Sequence, residues 1–201
     1  MVEFGNEFKG IAAFTGLMHK IARMAPADEL DHIQNSLTGN AEAFATLVKE
    51  NQKMVFAVAF RMTGSMADAE DLTQETFLRA YQHLESYRGR SKFSTWLCQI
   101  AVNLGINWRA RENRRGDVHV RWAKDSILEP RAEFPDELSQ CVQEALNKLP
   151  PKQRAAIVLT VYENQSHGEA AAILNCTEAT VSWRVFTARR KLKSLLKGRV
   201  P

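Results

Sequence analysis

Apolar residues recur every three or four positions through most of this chain, and nowhere do they alternate one by one. Strict alternation is what a half-buried strand requires, so its absence predicts an all-α fold. Leu30, Ile33 and Leu37 make the first stripe, which Gly39 and Asn40 stop. Phe44, Leu47, Val48, Val55, Val58, Ala59 and Met62 carry the spacing to Gly64. Ser65 is placed to cap a third helix. Leu72, Phe77, Tyr81 and Leu84 are its expected buried face, with Glu75 and Thr76 outward. Ser94 is the expected cap of a fourth, with Leu97, Ile100, Ala101, Leu104 and Trp108 inward.

The spacing fails between Gly116 and Pro135 and resumes at Glu137 with Leu138, Val142, Ala145, Leu146 and Leu149. Pro130, Pro135 and several acids mark that gap as a flexible acidic linker. The expected division is an N-terminal extension (1–25), a helical domain (26–115), the linker (116–136) and a second helical domain (137–201). In the extension, Phe4, Phe8, Ile11, Phe14, Met18 and Ile21 form a weak stripe broken by Gly5, Gly10 and Gly16. That pattern fits a frayed extension, or alternatively a regulatory or membrane-surface helix.

The second domain has a sharper local grammar. Pro150 and Pro151 end one helix and start another. Ser166-His167-Gly168-Glu169 is a capping box ahead of a short helix at 170–174. The turn Asn175-Cys176-Thr177 then leads into a long basic helix from Glu178. Two helices joined by a three-residue turn, the second one basic, form a helix-turn-helix pattern.

Charge is more informative in its order than in its sum. The net charge is +4 with a pI near 9.0, a mild pointer to a polyanionic partner. Segment 64–78 holds four acids and no base, and 103–124 holds six bases against two acids. Segment 125–144 holds six acids against one base, and 178–199 holds seven bases against one acid.

Cys98, Cys141 and Cys176 are odd in number and widely spaced, which predicts free thiols in a reducing cytoplasm. No apolar run nears the ~18 residues of a membrane span, and no signal-peptide pattern is present at the N-terminus. No residue constellation suits a catalytic or metal site, and no cofactor or small-molecule substrate is expected. His167 is expected at the surface rather than in catalysis.

Two clusters point to nucleic acid. On the last helix, Val181, Val185, Ala188, Leu192 and Leu195 form one inward stripe. Opposite or flanking it lie Ser182, Trp183, Arg184, Phe186, Thr187, Arg189 and Arg190. Arginine forks suit guanine edges and phosphates, and apolar groups suit thymine methyls. The second cluster is Tyr87, Arg88, Arg90, Lys92, Phe93, Trp96, Asn103, Asn107, Trp108, Arg109 and Arg111. Rings stack on unpaired bases, amides read base edges and cations hold the backbone, as single-stranded DNA requires. Phe93 and Trp96 fit a core role equally well.

The stretches D-A-E-D-L-T-Q-E-T-F-L-R-A-Y from Asp68, S-T-W-L-C-Q-I-A-V-N from Ser94 and T-V-S-W-R-V-F-T-A-R-R-K-L from Thr180 together resemble regions 2 and 4 of the extracytoplasmic-function sigma factors, the small branch of the bacterial sigma-70 family. The resemblance runs from about Glu29 to Leu196. It implies binding to RNA polymerase core, direction of that enzyme to promoter DNA, and control by an anti-sigma factor. By resemblance, Asp68, Asp71, Gln74 and Glu75 dock on the polymerase. The Tyr87 to Arg111 cluster captures the melted −10 element. Thr180, with Ser182 to Arg190 of the last helix, reads the −35 element. The acidic linker is implied to thread a basic channel of the polymerase.

Gln165, Gly168 and Trp183 depart from the family's usual residues, which implies a looser capping turn and −35 contacts that differ in detail from the family's. The extension has no counterpart in the family. Two competing readings remain: a stand-alone helix-turn-helix regulator, which gives the acidic helix no task, and a sigma-mimicking decoy, which has no need of a basic reading helix.

Overall fold

The computed structural model describes residues 27–89, 91–119 and 137–198, and among these it forms eight α-helices and no strand. The N-terminal lobe contains α1 (Ala27–Leu37), α2 (Ala41–Thr63), α3 (Met66–Gln82) and α4 (Phe93–His119), with a 3₁₀ turn at Leu84–Ser86. The C-terminal lobe contains α5 (Glu137–Asn147), α6 (Pro151–Ile157), α7 (His167–Ile173) and α8 (Glu178–Leu196). A π-helical turn, Val158–Tyr162, continues α6. The extension, Arg90 and residues 120–136 of the linker lie outside the described residues.

Local chemistry sets the helix ends. The Asn40 side chain accepts from the Glu42 and Ala43 amides at the start of α2. Gly64 ends α2 in the left-handed region, φ 81°, with its N–H on Phe60 O. Ser65 starts α3 by accepting from Asp68 N, and Thr177 starts α8 by accepting from Thr180 N. At α7 the capping box is closed in both directions despite Gln165 and Gly168: Glu169 N donates to Ser166 Oγ, and Ser166 N donates to Glu169 Oε2.

Helix α2 is the axis of the N-terminal lobe and packs on α1, α3 and α4. Its Leu47, Val55, Val58, Ala59 and Met62 are wholly buried, against Leu72, Phe77 and Ala80 of α3 and Leu97, Ala101 and Leu104 of α4. Each large side chain so buried stabilises the fold by about 1.5–3 kcal/mol. Gly105 lets α4 approach α2 closely, since a Cβ there would sit 2.7 Å from Met62 Cβ. In the C-terminal lobe, Val181, Val185 and Ala188 of α8 close over Ala155 and Leu159 of the α6 segment and Ala170 of α7. The two lobes also touch: α2 and α4 pack against α5 and α6.

Several sequence expectations need correction. Thr76 is buried, not outward: it follows Leu72 by four and precedes Ala80 by four on the inward face, and its hydroxyl donates to Leu72 O. Tyr81 is 47% exposed, with one edge packed on Phe44 at 5.0 Å. Helix α4 begins at Phe93, so Ser94 lies inside its first turn rather than capping it, and α4 continues past Gly116 to His119.

Candidate nucleic-acid interface

The acidic side of α3 is its outer ridge. Asp71 and Gln74 are exposed, while Asp68 and Glu75 are half-exposed. Each is partly tethered: Arg79 Nε donates to Glu75 Oε1 at 2.6 Å, and Trp108 Nε1 donates to Asp68 Oδ1 at 3.2 Å. The ridge therefore shares an edge with α4. Asp68, Asp71, Trp108 and Arg111 line one open groove between the two helices.

The second groove along the same seam, about 520 Å³, is lined by Trp96, Asn103 and Asn107 together with Gln82, His83 and Ser86. Asn103, Asn107 and Arg111 follow one another at four-residue spacing and are all exposed. Amide groups next to a partly exposed indole make a concave surface suited to an unstacked base.

Tyr87, Phe93 and Trp96 form a ring cluster, with centroids 5.3 to 5.6 Å apart. Phe93 is fully buried and Tyr87 nearly so, and the Tyr87 hydroxyl donates to Ser91 O at 2.6 Å. Burial pushes the Tyr87 phenol well above its ordinary range. Neither ring offers a free face: both shape the loop from beneath, and Trp96 alone of the three is partly open. Arg88 and Lys92 are exposed on that loop. Trp108 is half-buried, with the Arg109 guanidinium 5.9 Å from its ring centre. Arg109 turns away from the groove and donates to Asn147 O of α5 at 2.9 Å.

The outer face of α8 is the most open aromatic surface of the described residues. Trp183 is 62% exposed and Phe186 60% exposed, and the Arg190 guanidinium lies 5.8 Å from the Phe186 ring centre. Arg189 and Arg190 are exposed, and Thr187 is half-exposed. Three neighbours that the sequence did not single out for this face, His167, Cys176 and Thr177, fix its inner edge. His167, expected at the surface, is half-buried and hydrogen-bonded through Nδ1 to Ser182 Oγ at 2.8 Å. Arg184 reaches back to Cys176 Sγ at 3.4 Å, and Thr180 Oγ1 pairs with Thr177 Oγ1 at 2.8 Å. The signal for these partners lay in the helix-turn-helix spacing itself, which sets the turn and α7 beside the first turns of α8.

Cys98 and Cys141 are buried and Cys176 half-buried. Burial, aided by the nearby Glu163, pushes the Cys98 thiol up to about 12, so it is a packing group. Among the described residues no group of His, Cys, Asp and Glu side chains is arranged to hold a metal ion. Nor is any described helix long and apolar enough to cross a membrane.

Residues 47–115 match the family model of Sigma-70 region 2, and residues 139–192 match that of Sigma-70, region 4. The chain is 34% identical over 172 residues to the ECF RNA polymerase sigma factor SigW of Bacillus subtilis, covering 79% of this chain and 91% of that relative. In structure it is similar to the sigma factor RpoE of Bartonella quintana, solved in complex with the anti-sigma factor NepR. The TM-score is 0.62 at 28% identity, over 79% of this chain and 99% of that one. It is similar also to CnrH in complex with the cytosolic domain of CnrY, with a TM-score of 0.60 at 28% identity over 86% and 98% of the two chains.

Proposed function

The chain belongs to the extracytoplasmic-function RNA polymerase sigma factors, and from that premise we propose how its surfaces divide the work of starting transcription. Residues 26–115 bind polymerase core and open the −10 element, and residues 137–201 read the −35 element as duplex. Residues 116–136 tether the two, and 1–25 are an extension. Asp68, Asp71, Gln74 and Glu75 of α3 meet the polymerase. Trp96, Asn103, Asn107, Trp108 and Arg111 hold unpaired bases and backbone, with Arg88, Arg90 and Lys92 supplying charge, while Arg109, expected on this surface, is turned to Asn147 O instead. Tyr87 and Phe93 hold the loop in shape. Trp183, Arg184, Phe186, Thr187, Arg189 and Arg190 enter the major groove, with Thr180 and Ser182 at its edge.

The observation that carries this reading is the outward Trp183, Phe186 and Arg190 surface on the second helix of a helix-turn-helix, in a chain that also bears an acidic ridge edged by an amide-lined groove. Magnitudes explain why the acidic ridge is needed. DNA stacking averages about 1.4 kcal/mol per step, so opening ~10 steps costs on the order of 14 kcal/mol. A base stacked on an aromatic returns only about 1–3 kcal/mol. Two or three captured bases cannot open a promoter alone, so the polymerase supplies the rest and a stand-alone regulator would lack it. The protein acts in the cytoplasm and has no catalytic group of its own. An anti-sigma factor restrains it, a reading supported by its similarity to RpoE, solved in complex with the anti-sigma factor NepR, and to CnrH, solved in complex with the cytosolic domain of CnrY. Run-off transcription with purified core polymerase on a genomic promoter library tests the proposal. Discrete starts that require this chain support it, and no chain-dependent transcript on any template rejects it.

A further inference from the structure

One hydrogen bond in the C-terminal lobe joins a titratable side chain to the helix proposed to read DNA. His167 opens α7, and its Nδ1 lies 2.8 Å from Oγ of Ser182 on α8. Both residues are half-buried, and the ring makes no other hydrogen bond among the described residues. Ser182 precedes Phe186 by four positions and Arg189 by seven, so the three share a flank of α8. Phe186 is 60% exposed and Arg189 is exposed. In a helix-turn-helix the second helix lies in the major groove and the first crosses the DNA backbone. Ser182, on the side of the second helix that is bonded to the first, stands where groove gives way to backbone. The DNA group that meets a hydroxyl there is a phosphate oxygen.

A phosphate oxygen can only accept, and a serine hydroxyl has one proton to give. If Ser182 donates to an unprotonated Nδ1, nothing is left for the phosphate. An imidazolium donates from both nitrogens. Nδ1–H then donates to Ser182 Oγ, and the hydroxyl proton is free to point at DNA. We propose that His167 and Ser182 form a proton-coupled phosphate clamp at the edge of the −35 surface, in which protonated His167 turns the Ser182 hydroxyl onto the DNA backbone. His167 is a positioning residue that acts through Ser182, and its role rests on the reading above that α8 addresses duplex.

The charges around the pair are the same before and after binding. Glu169, on the same helix as His167, is engaged by the Ser166 amide and hydroxyl. Glu178 of α8 comes within 3.8 Å of where a Cβ on Gly168 would sit. Arg189 follows Ser182 two turns along α8. Just past the π-helical turn, Glu163 shares a cavity with Glu169 and Lys92 and lies 4.0 Å from Arg61. None of them is hydrogen-bonded to the ring. The phosphate is the charge that binding adds, and a nearby opposite charge favours the protonated imidazole. Binding therefore takes up a proton, and affinity falls as pH rises.

The test uses the full chain assembled with core polymerase and a fluorescent duplex that carries the −35 element alone. That duplex keeps His83, which lines the −10 groove, out of the readout. Anisotropy titrations at constant ionic strength run from about pH 6 to about pH 8, where imidazole changes charge. A group whose pKa rises by one unit on binding changes affinity by up to about tenfold. Across that span the parent's affinity should fall about threefold or more beyond that of His167→Gln, whose amide keeps a donor and an acceptor without the charge. Ser182→Ala should show the shallow slope of His167→Gln. His167→Lys, charged throughout, should bind at the alkaline end at least as tightly as the parent. A parent slope no steeper than that of His167→Gln overturns the clamp. So does a Ser182→Ala variant that keeps the parent's slope. Absence of −35-dependent binding at every pH would instead be a failure of the sigma-factor reading. Should His167→Gln prove unfolded in thermal melts, the comparison of parent with Ser182→Ala decides by itself.

Discussion

The indole N–H of Trp108 donates to Asp68 Oδ1 at 3.2 Å, joining the helix proposed to meet polymerase to the helix proposed to meet melted DNA. This contact adds a polar tie between the two recognition surfaces to the apolar packing of their helices. Trp108→Phe keeps an aromatic ring, though a smaller one, and deletes the donor. It should cost about 1 kcal/mol by urea unfolding. It should also reduce promoter opening severalfold in permanganate footprints, while leaving closed-complex formation intact. Normal opening would show that the pair has no role in positioning.

Outward aromatics on α8 should matter to DNA and not to the fold. Trp183→Ala and Phe186→Ala remove side chains more than half exposed, so stability should move by no more than about 0.5 kcal/mol. Affinity for duplex −35 DNA, measured by fluorescence anisotropy, should fall by about 1–3 kcal/mol, the usual cost of one lost base contact. Unchanged affinity with both residues replaced would show that another face of the helix reads the groove.

Close helix approach makes Gly105 irreplaceable. Alanine favours helix by about 1 kcal/mol over glycine, but here its Cβ would meet Met62 Cβ at 2.7 Å. Overpacking of this kind costs about 1–3 kcal/mol. Gly105→Ala should therefore lower the urea midpoint, and a raised midpoint would contradict the packing described.

The capping box predicts a pH dependence with a definite sign. Hydrogen bonds from the Ser166 side chain and backbone hold the Glu169 carboxyl below its ordinary value of 4.5. A depressed carboxylate contributes stability above the unfolded value and loses it as pH falls through the folded one. Thermal melts should find Glu169→Gln less stable than the parent at pH 7. The gap should shrink as pH drops below about 4.5, the ordinary carboxylate range. Because Glu169 is almost fully exposed, the effect is small. A gap that widens in acid would refute the assignment.

Much of this architecture was readable from neighbouring residues alone. Asn40, Ser65, Ser166 and Thr177 cap within three residues of themselves, and the α8 stripe is a matter of spacing. What the sequence concealed depends on partners distant in the chain. Arg154 looks like a solvated base between Pro151 and Ala155. Only the carbonyl of Met62, 92 residues away, gives it a buried place. Thr76 looks polar and outward until Leu72 O satisfies its hydroxyl locally and frees it to face the core. The aromatic loop held a similar ambiguity: Tyr87, Phe93 and Trp96 suit stacking on bases or packing on one another, and Tyr87 and Phe93 take the second arrangement while Trp96 packs on both and stays partly open.

The central claim is that the α3 ridge couples this chain to polymerase while two other surfaces address DNA. Equilibrium binding of the purified chain to core polymerase, by competition against a labelled sigma subunit, tests it most directly. Saturable displacement by the parent is expected, with at least tenfold weaker displacement by Gln74→Ala with Glu75→Ala at unchanged thermal stability. Failure of the parent to displace the labelled subunit at any concentration would contradict it, however tightly α8 holds duplex DNA.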